Sequence, residues 1–88
     1  MGMFNLQIVT LDGLLFHERV QKVIVRTIDG DVGICANHIP YVTAVGDGRV
    51  KIITGQNVQY AWCSGGVLCV SGDMVRIIAG RLSWEETA

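Results

Sequence analysis

Phe4, Leu6, Ile8 and Thr10 alternate with Asn5, Gln7 and Val9. A period of two puts successive side chains on opposite sides of a strand, so this stretch predicts a strand with one face on a core. Leu11-Asp12-Gly13 reads as a turn. From Leu14 to Ile28 alternation resumes, with Val23, Val25 and Thr27 on one face and Lys22, Ile24 and Arg26 on the other. That is a long strand, or two strands around a bulge. Asp29-Gly30 is the strongest hairpin dipeptide in the chain, because a type I′ turn puts both central residues at positive φ and Asp-Gly tolerates it. Residues 32 to 36 are expected to return antiparallel.

Pro40 has no N–H to give a ladder and marks the start or edge of a strand over residues 41 to 45. Gly46-Asp47-Gly48 turns the chain, Val50 and Ile52 then alternate with Arg49, Lys51 and Ile53, and Gly55-Gln56-Asn57 makes a loop. Val58, Tyr60 and Trp62 alternate with Gln59, Ala61 and Cys63 before Gly65-Gly66 interrupts the run. Residues 67 to 71 and 74 to 79 are the last strands, parted by Gly72-Asp73. No stretch carries an amphipathic 3.6 period long enough for a helix. Only the tail changes character: Ser83 is placed to cap a helix starting at Trp84, with Glu85-Glu86 in its first turn. About nine short strands joined by tight turns predict an all-β domain, a β-sandwich or flattened barrel in which two apolar sheet faces cover each other.

Composition narrows the class. At 88 residues and 50% apolar, with 17% charged against the usual ~25%, the chain is one domain with enough apolar material for a core and too little charge for disorder. Seven Lys/Arg against eight Asp/Glu leave a net charge of −1 with no basic run, which argues against nucleic acid as a partner. No apolar stretch approaches the ~20 residues of a membrane helix. Three cysteines, Cys35, Cys63 and Cys69, are an odd set for a secreted disulfide scaffold and suit a reducing compartment.

Candidate chemistry is sparse. Cys35-x-x-His38 with Cys63 and Cys69 invites a zinc reading, but the second pair is too widely spaced and broken by Gly-Gly. Buried thiols are the plainer reading. A Cys35, His38 and Asp31 nucleophilic set can be drawn, yet residues three apart around a strand end point apart and no oxyanion hole is in view. His38 reads as a loop residue fixing conformation, and His17 as a solvated strand residue. Gly30-x-x-Gly33 and Gly65-Gly66 open onto no helix and cradle no phosphate; they serve positive φ or the close packing of one segment on another. Ile24, Ile53 and Ile78 fall on outward positions and are expected to form either an exposed apolar patch or a second core face. No cofactor, metal or catalytic set emerges, which points to a binding or assembly module.

Residues 30 to 40, Gly-Asp-Val-Gly-Ile-Cys-Ala-Asn-His-Ile-Pro, resemble the epsilon subunit of the F-type rotary ATP synthase, called delta in mitochondria, where G-x-x-G-Ile precedes His-x-Pro. Three further stretches agree in order: residues 4 to 10 with the aromatic Phe16 after them, residues 48 to 52, and the Gly65-Gly66 segment followed by residues 75 to 79. Cys35 departs from the larger or apolar residues usual there. The similarity runs from about Phe4 to Glu86; the family's two-helix C-terminal domain, which inhibits ATP hydrolysis and in some members binds ATP, does not follow. The expected organisation is therefore a β-sandwich over 4–84, with 85–88 as the start of a linker.

The resemblance implies a ten-stranded β-sandwich that acts as a non-catalytic rotor subunit of the central stalk, joining gamma to the c-ring and coupling ion flow to ATP synthesis. It implies a peripheral place on the cytoplasmic face of a bacterial plasma membrane. Asp29, Gly30 and Asp31 would meet the c-ring loops, and Thr10, His38, Tyr41 and Val42 would lie on or near the surface facing gamma. Two rival readings come from other classes: a small metal-dependent β-barrel enzyme using His17, His38 and the cysteines, and a generic ligand-binding sandwich.

Overall fold

The computed structural model describes residues 2–85. Eight strands follow in order: β1 Phe4–Thr10, β2 Gly13–Val20, β3 Lys22–Thr27, β4 Gly30–Cys35, β5 Tyr41–Ala44, β6 Gly48–Thr54, β7 Asn57–Ser71 and β8 Met74–Trp84. The long segment expected from Leu14 to Ile28 is two strands parted at Gln21, whose N–H donates to the Ile53 carbonyl at 2.9 Å as the chain leaves one sheet for the other.

β7 and β8 are long because each serves both sheets. The first part of β7 pairs with β6, from Asn57 opposite Thr54 to Cys63 opposite Gly48, and its last part pairs with β5, from Val67 opposite Ala44 to Val70 opposite Tyr41. β8 likewise lies parallel to β1 from Met74 to Ile78, and its end continues beside the first part of β7. One sheet is thus β2-β1-β8-β7-β5 and the other β8-β7-β6-β3-β4. Counted once in each sheet, the two shared strands turn eight continuous strands into the ten segments of the expected sandwich.

Inward positions of both sheets supply the core. Leu6, Ile8, Leu68 and Ile77 from the first sheet and Val23, Val25, Ile34 and Ile52 from the second are fully buried. The expected face of Val23, Val25 and Thr27 is the buried one. Thr27 is the one polar residue buried among the described residues, and its hydroxyl both donates to the Gly30 carbonyl at 2.8 Å and accepts from the Asp29 N–H at 3.1 Å. That satisfies a group that would otherwise cost ~1–3 kcal/mol to bury.

Three local expectations are corrected. The hairpin at Asp29 is not type I′: Thr27 pairs with Gly30 across Ile28 and Asp29, Gly30 has φ 110°, and Asp29 does not have positive φ. Thr10-Leu11-Asp12-Gly13 repeats the device, with Gly13 at φ 110° and the Asp12 N–H donating to Thr10 Oγ1 at 3.1 Å. At Gly65-Gly66 the strand is not interrupted; it runs through both residues, at φ 67° and 129°, and passes between sheets. A Cβ on Gly66 would lie 2.0 Å from the Ile78 carbonyl oxygen, so only glycine lets β7 approach β8 there. Finally, no helix starts at Trp84. Ser83 pairs with Trp62, Trp84 with Ala61, and the Glu85 N–H donates to the Tyr60 carbonyl at 3.0 Å, so the sheet claims the backbone that a cap would need. The rest of the expected linker, residues 86–88, lies outside the described residues.

Candidate docking face

Register brings together residues far apart in sequence. On the outer side of the first sheet Ala44 is opposite Val67, Val67 opposite Ile78, Ile78 beside Val9 and Val9 opposite Leu14, a row of five aliphatic side chains across five strands. Leu14 is 55% exposed, Ile78 45% and Val67 39%. The next row is mixed: Val42, Cys69, Arg76, Gln7 and His17, with Arg76 Nε donating to Gln7 Oε1 at 3.0 Å. In the third, Asp73 accepts from Asn5 Nδ2 at 2.9 Å and from Arg19 Nη1 at 3.1 Å. The face therefore grades from ionic at one end to wholly apolar at the glycine corner. There the row runs into a cleft of about 420 Å³ lined by Thr10, Leu11, Gly65, Gly66, Ile78 and Gly80 among others, with Leu11 fully in solvent. The stripe is contiguous, apolar and rimmed by polar groups, the composition typical of docking surfaces.

The residues expected to face gamma are only partly gathered here. Val42 points outward in the second row, and Thr10 closes the cleft while its hydroxyl braces the turn. Tyr41 is half-buried against the core at the opposite end of β5, its ring 6.1 Å from that of His38. The His38 Nδ1–H donates to the Ile39 carbonyl at 2.8 Å, in keeping with a role in fixing the loop. Asp29 and Asp31 are exposed at the other turn, and Asp31 is bound by Arg26 Nε at 2.8 Å. The three isoleucines do not form one patch. Ile78 is on the first sheet, whereas Ile24 and Ile53 lie half-buried on the outer side of the second.

The cysteines lie apart in character. Cys35 is exposed rather than buried, since its outward position at the end of β4 is uncovered, and Cys69 is half-buried. Burial pushes the Cys63 thiol up to about 11. Among the described residues no three His, Cys, Asp or Glu side chains converge as metal ligands. His17 is exposed in the middle row. The aliphatic row was beyond sequence reasoning because no local pattern links Leu14, Val9, Ile78, Val67 and Ala44; only register does.

The family model described as "ATP synthase, Delta/Epsilon chain, beta-sandwich domain" matches residues 3–85. An ATP synthase epsilon chain of Caldicellulosiruptor saccharolyticus is 35% identical over 86 residues, covering 98% of this chain and 63% of that protein. One from Alkaliphilus metalliredigens is 39% identical over 83 residues, covering 94% and 62%. A chain in the solved mitochondrial ATP synthase of Euglena gracilis, an assembly of OSCP, F1 and c-ring, superposes with a TM-score of 0.89 at 22% identity, covering 96% of this chain and 54% of that one. At that identity the likeness shows the fold. The chain spans under two thirds of the length of these curated relatives.

Proposed function

The chain belongs to the delta/epsilon β-sandwich family of the ATP synthase, and from that membership we propose that it is a non-catalytic central-stalk rotor subunit. It joins gamma to the c-ring and couples ion flow to ATP synthesis, with the chemistry in other subunits. Its place is peripheral to the bilayer, on the cytoplasmic face of a bacterial plasma membrane. The observation that supports this reading is the aliphatic row of Ala44, Val67, Ile78, Val9 and Leu14 ending in the corner cleft. We assign the row, with Thr10 and Val42, to gamma; His38 and Tyr41 steady the loop leading into β5 at its margin. The turn at Asp29, Gly30 and Asp31 is assigned to the polar loops of the c-ring, where exposed carboxylates meet polar or cationic groups.

The test is capture by purified gamma and by detergent-solubilised c-ring. Ile78→Glu puts a charge at the centre of the row without touching the core, and it should abolish capture of gamma while leaving thermal unfolding within a degree or two of the parent. Asp31→Arg should weaken c-ring capture and leave gamma capture intact. Unchanged gamma capture by both Ile78→Glu and Leu14→Glu, or turnover of a substrate by the chain alone, would overturn the assignment.

A further inference from the structure

The outer side of the second sheet carries a different surface. Lys22 and Arg26 on β3, Arg49 and Lys51 on β6 and Arg81 on β8 occupy its outward positions, five of the seven Lys/Arg in the chain. Among the described residues, the carboxylates on this side are Asp31, Asp47 and Glu85. Arg26 holds Asp31, Arg49 makes a two-pronged contact with Glu85, and Asp47 accepts from Ser64 Oγ at 3.2 Å. The Arg49 hydrogen bond holds Glu85 below the ordinary carboxylate range. Lys22, Lys51 and Arg81 have no ion-pair partner among the described residues. Among the described residues this side thus keeps a positive excess, in a chain whose net charge is −1, and Asp12, Glu18, Asp29 and Asp73 lie elsewhere.

Trp62 stands in the middle of that charge, 52% exposed, between two recesses of about 470 Å³ and 290 Å³. Ile24, Lys51 and Tyr60 help line the larger, and Ser64, Arg81 and Ser83 the smaller. The Arg49 guanidinium sits 4.2 Å from the Tyr60 ring centre and 6.0 Å from that of Trp62, which with the Glu85 contact holds it in place before any partner arrives. Trp, Tyr and Arg are the residue types that carry most binding energy at interfaces, and here they are pre-ordered beside unpaired cations.

We propose that this side is a second docking surface, for an acidic polypeptide segment. Its carboxylates meet Lys22, Lys51 and Arg81, and one of its apolar or aromatic side chains packs on Trp62. Charge complementarity selects this occupant. A nucleic acid backbone carries a phosphate at every residue and would set some of them against Asp31 and Asp47, whereas a peptide can space its carboxylates to meet the cations alone. The surface is separate from the row assigned to gamma, and it adjoins the turn assigned to the c-ring at Asp31.

The probe is a fluorescein-labelled peptide of Glu and Leu with one central Phe, compared with its Gln-for-Glu counterpart, a single-stranded DNA oligonucleotide and phosphatidylserine vesicles. Binding is followed by polarisation and vesicle co-sedimentation, and located by backbone amide NMR shifts. The acidic peptide should bind at least tenfold more tightly than the Gln peptide, with shifts on β3, β6 and the first part of β7. Lys51→Glu should weaken it about tenfold and Trp62→Ala roughly thirtyfold, the loss typical of a central aromatic anchor. Ile78→Glu should leave it unchanged, so this inference and the assignment of gamma stand or fall separately. Lys51 is on the surface, and its variant remains informative if Trp62→Ala does not fold. Equal binding of the two peptides, tighter binding of the oligonucleotide or the vesicles, or shifts confined to the first sheet would overturn the proposal.

Discussion

The Gly65-Gly66 corner offers the sharpest test of how the two sheets are joined. Both residues have positive φ, 67° and 129°, but their surroundings differ. A Cβ at Gly65 meets nothing within 4 Å, whereas one at Gly66 would sit 2.0 Å from the Ile78 oxygen and 2.9 Å from Ala79 Cα. Gly65→Ala should therefore cost only the left-handed backbone penalty, about 1–2 kcal/mol. Gly66→Ala adds displacement of β7 from β8, and it puts at risk the 3.0 Å hydrogen bond in which the Val45 N–H donates to the Gly66 carbonyl. Strain of ~1–3 kcal/mol and overpacking of ~1–3 kcal/mol together give a loss of roughly 3–5 kcal/mol, a large part of the ~5–15 kcal/mol that holds a typical domain folded. At ~4–8 °C per kcal/mol, melting should fall roughly 12–40 °C for Gly66→Ala and about 4–16 °C for Gly65→Ala. Urea unfolding followed by tryptophan fluorescence, with calorimetry, measures both. Equal losses at the two positions, or less than about 1 kcal/mol at Gly66, would refute the close-approach account.

The twin turns give an internal comparison: Thr27→Val removes two hydrogen bonds of a buried hydroxyl and should cost about 1–2 kcal/mol, against under ~0.5 kcal/mol for Thr10→Val at the exposed turn. Denaturant midpoints would show it, and equal losses would mean the hydroxyls are incidental. For Cys63, the unfolded thiol gives up its proton near its ordinary 9.0 while the folded one holds it to about 11. Stability present below pH 9 is thus lost as pH climbs toward 11, by roughly 2 kcal/mol, and Cys63→Val should flatten that limb. A thiol reagent should label Cys35 in the native chain and Cys63 only on unfolding. Glu85, held low chiefly by the Arg49 hydrogen bond, contributes stability that is full above its ordinary 4.5 and lost as pH falls through its lower folded value. Glu85→Gln should remove that part of the acid limb in a melting-versus-pH series; identical limbs would count against the contact. Hydrogen exchange at Ile28 and Gly46, whose N–H groups tie β3 and its turn to β5 and the residues after it, should approach the slowest class in the chain. Loop-like rates there would mean the turn moves independently of the sheets.

Alternation along β1, β3 and β6 was legible because each strand has one face on the core and one in solvent, so pattern and burial coincide. The corner was half legible. Gly65-Gly66 signalled close packing, but a local pattern cannot tell a strand that ends from one that changes sheets. Ser83, Trp84 and Glu85 misled for the opposite reason: a locally sound capping signal lost to ladder hydrogen bonds with Tyr60, Ala61 and Trp62, which lie over twenty residues back. The Thr-Leu-Asp-Gly and Thr-Ile-Asp-Gly turns form a repeat in the sequence, but Asp-Gly tolerates either sign of φ at Asp, so the turn type at Asp29 was not legible there. The docking rows could not be seen, because each residue comes from a different strand.

The two assigned surfaces need a body that does not shear between them, and the topology supplies one. A load on the aliphatic row enters through β8 and β7, which continue as backbone into the second sheet, so part of it never crosses a layer of side chains. A second path runs through β5: the Ile28 N–H donates to the Ala44 carbonyl at 3.2 Å and the Gly46 N–H to the Arg26 carbonyl at 2.9 Å, tying the turn at Asp29 to the edge of the first sheet. Between the sheets the close-packed core of Leu6, Ile8, Val25 and Ile52 has low compressibility and passes on what remains. A sandwich of two separate sheets would have only this last path. Sharing β7 and β8 requires a tight crossing where no side chain fits, which is why the glycine with no room for a Cβ stands at the corner the candidate gamma face runs into.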